Sequence, residues 1–137
     1  MQHIFVYGSL QLPEIVKKLT GKSFKTARAV LPGYKLCRVE NCDYPAIIKK
    51  ENTETKGLII EDVDDESLNI ISFYEGDEYK IQKVTVWINE KPVSAIAFVW
   101  AKKIDLLNDR EWDLQRFKQE SLTNYLNVLI PKMFKQF

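Results

Sequence analysis

The sequence has two cysteines, one histidine and no long apolar run, and each shortage excludes a class of protein. Cys37 and Cys42 are too few for a disulfide framework, which fits a reducing compartment. Their spacing is not Cys-x-x-Cys, and His3 alone cannot complete a zinc site with them. No apolar stretch approaches the ~20 residues that a helix needs to span a bilayer. We therefore predict no metal site and no membrane partner.

An excess of charge of one sign is also lacking. The chain has 20 Lys and Arg against 19 Asp and Glu, and no block of basic residues stands alone, so a nucleic-acid partner is not expected. The N-terminal stretch has neither a basic start nor a small-residue cleavage site, as a targeting segment would. We expect a cytoplasmic protein and leave a homodimer open.

Strand patterns recur through the 137 residues, a length that suits one domain. The predicted strands cover residues 2–7, 24–31, 34–39 and 57–60, an extended piece that begins at Pro45, and a hairpin around the turn at 89–92. The sequence Leu-Pro-Gly-Tyr at 31–34 predicts a turn between two of these strands.

Three helices are predicted between and after the strands. The first begins at Pro13 and stops at Gly21, and the second is capped by Asp64 and stopped by Gly76. The third is a long amphipathic helix that Pro131 ends. Its predicted apolar side consists of Leu114, Phe117, Ser121, Leu122, Tyr125 and Leu129. Strands that outnumber helices and are scattered between them favour an α+β sheet or an open barrel.

The stretch Tyr7-Gly8-Ser9-Leu10 joins the first strand to the first helix. A glycine at such a junction lets successive backbone N–H groups converge, and these groups bind carboxylates, phosphates or a developing oxyanion. The alternative is a plain turn at the end of a strand.

Two other functional hypotheses, a nucleotide-binding P-loop and a serine hydrolase, are rejected. Thr-Gly-Lys-Ser at 20–23 lacks the earlier glycine of a P-loop, since Val16 holds that position, and no Gly-x-Ser-x-Gly elbow supports a serine hydrolase.

The stretch Phe-Tyr-Glu-Gly-Asp-Glu-Tyr at 73–79 places Glu75 where a helix should end. The negative end of the helix, the like charges of Asp77 and Glu78, and walls from Phe73 and Tyr74 would all raise the pKa of Glu75. A carboxyl that is reluctant to ionise suits a general acid and base near neutral pH. The alternative is a solvated acidic loop.

Together these pieces resemble the γ-glutamylcyclotransferase-like family, which includes γ-glutamylamine cyclotransferases and related small bacterial proteins. The family's N-terminal mark matches Tyr7–Leu10, and its second mark, an aromatic residue, Glu, Gly and a later Tyr, matches Tyr74, Glu75, Gly76 and Tyr79. The segments Pro-Gly-Tyr-Lys-Leu, Tyr-Pro-Ala-Ile-Ile, Lys-Gly-Leu-Ile-Ile and Ala-Ile-Ala-Phe-Val-Trp follow the family order, as does Trp112. The resemblance covers residues 2–113.

The resemblance implies an α+β fold in which a mixed, mostly antiparallel sheet curls into an open or closed barrel with flanking helices. It implies a single domain over 1–137, with 105–137 as a C-terminal helical extension. The implied enzyme is a cofactor-independent transferase or lyase of glutathione or γ-glutamylamine metabolism. It would cyclise a γ-glutamyl group to 5-oxoproline and release an amine or amino acid. Glu75 would be the acid and base, and the substrate would contact Tyr7, Gly8, Ser9, Leu10, Tyr44 and Tyr79.

The chain departs from the family at two places near the second mark. Ile71 and Ser72 stand where the family usually has Leu-Asp, and Ile81 stands where it often has arginine. These departures motivate an alternative, a binding module for a small metabolite or protein that keeps the fold and pocket without catalysis. A further alternative is an interaction protein that works through the C-terminal amphipathic helix.

Overall fold

Six strands and five α-helices follow one another in the computed structural model, which describes residues 1–136. The strands are β1 (Gln2–Val6), β2 (Thr26–Val39), β3 (Pro45–Val63), β4 (Tyr79–Ile88), β5 (Lys91–Trp100) and β6 (Leu107–Asn108). The helices are α1 (Pro13–Thr20), α2 (Asp65–Glu75), α3 (Leu114–Glu120), α4 (Leu122–Asn124) and α5 (Ile130–Phe134). Short 3-10 turns lie at Ser9–Gln11 and Ile104–Leu106, and a π-helical turn lies at Tyr125–Leu129.

Five of the strands close into a barrel. Their order is β3-β1-β5-β4-β2, and β2 pairs again with β3 to complete the ring. Neighbouring strands are antiparallel except β1 and β5, which are parallel. The contact between β2 and β4 rests on the single pair Val30 and Trp87, while β6 extends the far end of β2. The predicted α+β barrel with flanking helices is confirmed, and the barrel is closed.

The two faces of β1 are buried in two different clusters, as a strand buried on both sides requires. Phe5 and Tyr7 lie in the barrel interior with residues from the other four barrel strands. Ile4 and Val6 belong to the second cluster, which α1, α2 and the C-terminal residues complete. This alternation brings the residues that follow β1 to the end of the barrel, next to the helices.

The first two predicted helices are confirmed, with the expected residues at their ends. Pro13 occupies the first position of α1, where its missing N–H costs little, and Gly21 caps the helix. Asp64 caps α2 by accepting a hydrogen bond from the Ser67 N–H at 3.2 Å. Gly76 ends α2 with a φ of 86°, in the left-handed region that favours glycine.

The predicted turn at 31–34 is wrong, because β2 continues through it. A bulge between Pro32 and Tyr34 absorbs the Pro-Gly pair without ending the strand. Opposite the bulge, Glu54 pairs with Pro32 and Lys49 pairs with Tyr34, so residues 50–53 of β3 lie opposite Gly33 alone. The two predicted pieces on either side of 50–53 therefore belong to one 19-residue strand.

The prediction of one continuous C-terminal helix ended by Pro131 is also wrong. The helix breaks at Ser121, and Pro131 lies in the first turn of α5, where proline is tolerated. The π-helical turn adds one residue to the spacing, so the apolar side shifts by one position. Ile130 is therefore only 1% exposed, whereas Leu129, which the prediction placed on the apolar side, is 41% exposed.

The C-terminal segment, residues 112–134, packs on the rest of the protein. Phe117 and Ile130 are buried in the cluster that contains α1 and α2, and Leu114, Leu122 and Tyr125 pack against it. The hypothesis of an interaction protein that uses this helix face thereby loses its basis. The assignment of 1–137 to one domain stays a prediction, and its last residue, Phe137, lies outside the described residues. No helix within residues 1–136 is long and apolar enough to cross a membrane.

Candidate active site

A cavity of about 270 Å³ opens where β1 leaves the barrel and α2 ends. The structure brings all seven predicted site residues to its wall. They are Tyr7, Gly8, Ser9, Leu10, Tyr44, Glu75 and Tyr79. The segments after β1, before β3 and after α2 supply them, although up to 72 positions separate Tyr7 from Tyr79 in the sequence. The chain therefore places the Glu75 side chain and the segment after β1 around a common space.

Glu75 is the last residue of α2, is partly exposed as a residue, and lines the cavity. Burial raises the pKa of this carboxyl from 4.5 to about 7. The predicted increase in the pKa of Glu75 is present. Its cause is burial, however, and not the expected repulsion from Asp77 and Glu78. Phe73 is 41% exposed and does not line the cavity, so Tyr74 supplies the aromatic wall.

Four tyrosines surround Glu75: Tyr7, Tyr74, Tyr79 and Tyr125. Burial raises the pKa of each phenol, and the negative charge of Glu75 raises it further. These hydroxyls therefore remain protonated, and those of Tyr7 and Tyr79 donate their single hydrogens to backbone carbonyl oxygens of the cavity wall. The tyrosine rings also keep water from Glu75, which sustains its high pKa.

The turn after β1 is held on three sides. The Tyr7 hydroxyl donates to the Phe98 carbonyl oxygen at 2.5 Å, which fixes the ring at the end of the barrel. The Ser9 and Tyr74 hydroxyls are 2.7 Å apart and link the turn to α2. A Cβ at position 8 would lie 3.1 Å from Pro45 Cγ, so glycine permits the close approach of the two segments.

At the turn after β1, Ser9–Gln11 form a short helical turn in which Gln11 and Leu12 donate to the carbonyls of Gly8 and Ser9 at 3.1 and 3.0 Å. The first N–H groups of a helical turn have no partner within that turn. The amides of Ser9 and Leu10 occupy these positions, on the wall that also carries Glu75. The arrangement can hold a carboxylate or a developing oxyanion near an acidic group.

Tyr44 and Tyr79 fix the segment on the other side of the cavity. The Tyr79 hydroxyl donates to the Pro45 carbonyl oxygen at 2.7 Å, and the Tyr44 hydroxyl donates to Glu78 Oε1 at 3.0 Å. Both phenols thus tie the start of β3 to the turn after α2. The two side chains predicted as pocket walls lie on the wall, and their hydrogen bonds also hold it together.

The C-terminal segment contributes a wall that the sequence did not identify. Trp112, Phe117 and Tyr125 line the cavity, with ring centroids 5.8 Å apart for Trp112 and Phe117 and 4.8 Å apart for Phe117 and Tyr125. Asp43 joins this wall to the loop before β3. Its carboxylate accepts a hydrogen bond from Ser121, and its carbonyl accepts one from Trp112 Nε1 at 3.2 Å. The spacing of apolar residues in this segment indicates a buried side, but it does not indicate which part of the protein that side contacts.

The charges around the cavity are all negative. Asp43, Glu75 and Glu78 line it, and no lysine, arginine or histidine within residues 1–136 does so. In the same part of the chain, no three His, Cys, Asp or Glu side chains gather as a metal site would require. Cys37 and Cys42 are free thiols, and His3 accepts a hydrogen bond from the Asp62 N–H at 3.2 Å, outside the cavity.

The two departures from the family pattern lie away from the cavity wall. Ser72 and Ile81 are absent from its lining among the described residues, and Ile81 is 50% exposed on β4. Ser72 and Ile81 themselves therefore do not line the space beside Glu75. This observation weakens the motivation for a module that has lost catalysis.

Comparison with known proteins agrees with the fold. The family model described as gamma-glutamyl cyclotransferase, AIG2-like, matches residues 4–115. AIG2-like protein D of Arabidopsis thaliana is 31% identical over 140 residues, a match that covers 100% of this chain and 89% of that protein. AIG2-like protein B of the same plant is 29% identical over 137 residues, covering 97% and 78%.

Solved structures show the same fold. A solution structure from Arabidopsis thaliana superimposes with a TM-score of 0.72 at 26% identity, covering 98% of this chain and 82% of that one. A structure named gamma-glutamyl cyclotransferase superimposes with a TM-score of 0.62 at 16% identity, covering 99% of both chains. The family model and these relatives place the chain in the gamma-glutamyl cyclotransferase, AIG2-like family.

Proposed function

We propose that the protein cyclises a γ-glutamyl group to 5-oxoproline and releases the attached amine. The observation that carries the proposal is the shared cavity of Glu75, whose pKa burial raises to about 7, and the amides that follow β1. The family match over residues 4–115 supports the same reaction class.

The proposed reaction is an intramolecular transfer within the substrate. The α-amino nitrogen attacks the γ-carbonyl carbon, a C–N bond closes the ring, and the C–N bond to the amine breaks. Two protons leave the attacking nitrogen and two arrive on the departing nitrogen, so none is consumed. Folding the flexible substrate into an attacking pose lowers the barrier by as much as ~7–11 kcal/mol in favourable cases.

Glu75 carries these protons in turn. Its ionised form takes a proton from the attacking nitrogen, and its protonated form gives one to the departing nitrogen. A carboxyl with a pKa of about 7 populates both forms near neutral pH. Because one side chain of the protein moves the protons, this mechanism involves no cofactor.

The turn after β1 supplies the complementary part of the proposed mechanism. The amides of Ser9 and Leu10 would donate to the oxyanion that forms on the γ-carbonyl, or to the α-carboxylate of the substrate. The link between Ser9 and Tyr74 sets the distance from this turn to the end of α2. The tyrosines at positions 7, 44 and 79 would enclose the folded substrate between these two groups.

Replacement of Glu75 by glutamine tests the proposal. The variant removes the proton carrier and keeps the shape, so release of 5-oxoproline should fall by about 10²–10⁴-fold. Asp77→Asn is the matched control, because Asp77 is exposed and lies outside the cavity wall. The assay offers γ-glutamyl amines, γ-glutamyl amino acids and glutathione in turn. Undiminished release by the Glu75→Gln variant would refute the mechanism, and binding without turnover by the unmodified protein would favour the binding module.

A further inference from the structure

A second groove, of about 540 Å³, lies on the outer face of the barrel across β2, β3 and β4. No residue that lines this groove also lines the cavity beside Glu75. The two spaces also differ in charge. Arg28 and Lys56 line the groove, and no Asp or Glu of residues 1–136 does, whereas the charged side chains of the cavity are all carboxyl groups. The groove is therefore a separate place at which an anion would meet positive charge.

The sheet register places two cations and an aromatic ring together in this groove. Val30 of β2 pairs with Lys56 of β3 on one side and with Trp87 of β4 on the other. Partners in antiparallel strands present their side chains on the same face, so Lys56 and Trp87 flank Val30. Arg28 lies two residues before Val30, and the alternation of a strand returns its side chain to that face. Ala29, between them, is buried in the barrel interior, which identifies the other face as the outer one.

The two cations of the groove have no counter-ion within the part of the chain that the structure describes. Arg28 and Lys56 are exposed residues, and neither makes an ion pair with any residue of 1–136. By contrast, Arg38 and Arg116 are engaged by carboxylates. A guanidinium offers a planar fork that matches the oxygens of a phosphate, and an ammonium adds a point charge beside it. The pair can therefore hold a phosphate group without first giving up another partner.

Trp87 gives the groove an exposed aromatic face. It is 42% exposed, whereas Trp100 and Trp112 are 5% and 6% exposed. A nucleobase can stack on such a ring whichever base it is, because every base has a π-face. An exposed indole beside cations without counter-ions therefore suits a ligand that joins a flat ring to an anionic group.

The extent of the groove favours a small ligand over a polymer. Gln11 and Leu114, which precede α1 and begin α3, line it together with the strands, and Asn89 follows in the turn between β4 and β5. Its volume falls within the range of small-molecule sites, roughly 300–1,000 Å³. Two cations also supply little of the charge that binding along a nucleic-acid backbone requires.

We propose that this groove binds a free nucleoside phosphate, with the base stacked on Trp87 and the phosphates held by Arg28 and Lys56. The ligand supplies the flat ring and the negative charge that the groove lacks. The Thr-Gly-Lys-Ser stretch at 20–23 takes no part, since it lies outside the groove. The proposal is independent of the cyclisation, because it concerns other residues and its test measures binding and not release of 5-oxoproline.

Isothermal titration calorimetry of the full chain with ATP, adenosine and tripolyphosphate, without divalent cations, separates the ring from the charge. We expect ATP to bind about tenfold more tightly than either of the other two, and its affinity to fall as salt is added. Replacing both Arg28 and Lys56 by glutamine should weaken ATP binding by about tenfold or more and remove the preference for ATP over adenosine. Trp87→Leu should weaken ATP by about tenfold and leave tripolyphosphate unchanged. Lys83→Gln, which changes an exposed lysine of β4 outside the groove, is the matched control and should bind ATP as the unmodified protein does.

Three outcomes overturn the proposal. The first is no binding of ATP at millimolar concentration, or the same ATP affinity in the variant that lacks both cations. The second is equal affinity for ATP and tripolyphosphate together with no effect of Trp87→Leu, which would indicate a surface for any anion. The third is tighter binding of octa-uridylate than of ATP, which would indicate single-stranded RNA as the ligand. Thermal unfolding shows whether each variant is folded, and if the double variant is not, Lys56→Gln alone should still weaken ATP binding where Lys83→Gln does not.

Discussion

Replacing Glu75 with glutamine should change how stability depends on pH. Burial raises the pKa of this carboxyl from 4.5 to about 7 in the folded protein. Between these values the folded protein keeps a proton that the unfolded chain has released, so the free energy of unfolding falls as pH rises. At about 1.4 kcal/mol per pH unit, and allowing for the partial exposure of Glu75, the loss amounts to about 2–3 kcal/mol.

Chemical denaturation at a series of pH values measures this loss. Glutamine is neutral in both states, so Glu75→Gln should gain about 2–3 kcal/mol relative to the unmodified protein between about pH 4 and pH 8. Subtracting the two curves removes the groups that both proteins share. The Asp77→Asn curve should follow the unmodified protein, since that carboxylate is exposed. Parallel curves for the unmodified protein and Glu75→Gln would show that burial does not hold the proton, and the argument for a general acid and base would fail.

Two further predictions concern the reaction and the C-terminal segment. The value of kcat/KM should rise with pH through about 7, because Glu75 must be ionised to take the first proton. A kcat/KM profile that is flat between about pH 5 and 8 would contradict the role of Glu75 as the base. Ile130→Ala should lower the free energy of unfolding by about 2–5 kcal/mol and Leu129→Ala by less than ~1 kcal/mol, because Ile130 is buried and Leu129 is exposed. Urea denaturation measures both values. Equal losses would contradict the conclusion that the π-helical turn moves the buried side of the segment from Leu129 to Ile130.

The local signals in the sequence predicted much of the fold. Pro13, Gly21, Asp64 and Gly76 fix the ends of α1 and α2 through interactions between near neighbours, which a sequence displays directly. The same kind of local signal gave two wrong predictions, a turn at Pro32 and a helix end at Pro131. A bulge opposite a long partner strand absorbed the first, and a π-helical turn placed the second at a helix start. Both outcomes depend on distant partners, which local propensity does not encode.

The candidate site was predictable in part for a similar reason. Glu75 and Tyr7–Leu10 belong to short patterns that a resemblance can identify, and the structure places them at one cavity. Phe117 and Tyr125 carry no such pattern, since their apolar spacing is that of any amphipathic helix. Their place beside Glu75 follows from the break at Ser121 and from the hydrogen bond between Ser121 and Asp43. The compartment and a homodimer stay predictions.

The C-terminal wall has a consequence for how the family could diversify. The family model stops at residue 115, before Phe117 and Tyr125, while Glu75 and the turn after β1 lie well inside it. The proposed proton carrier and the C-terminal wall thus come from separate parts of the chain. Substitutions in the last helices would reshape the cavity beside Glu75 and leave the proposed proton carrier and the turn after β1 unchanged.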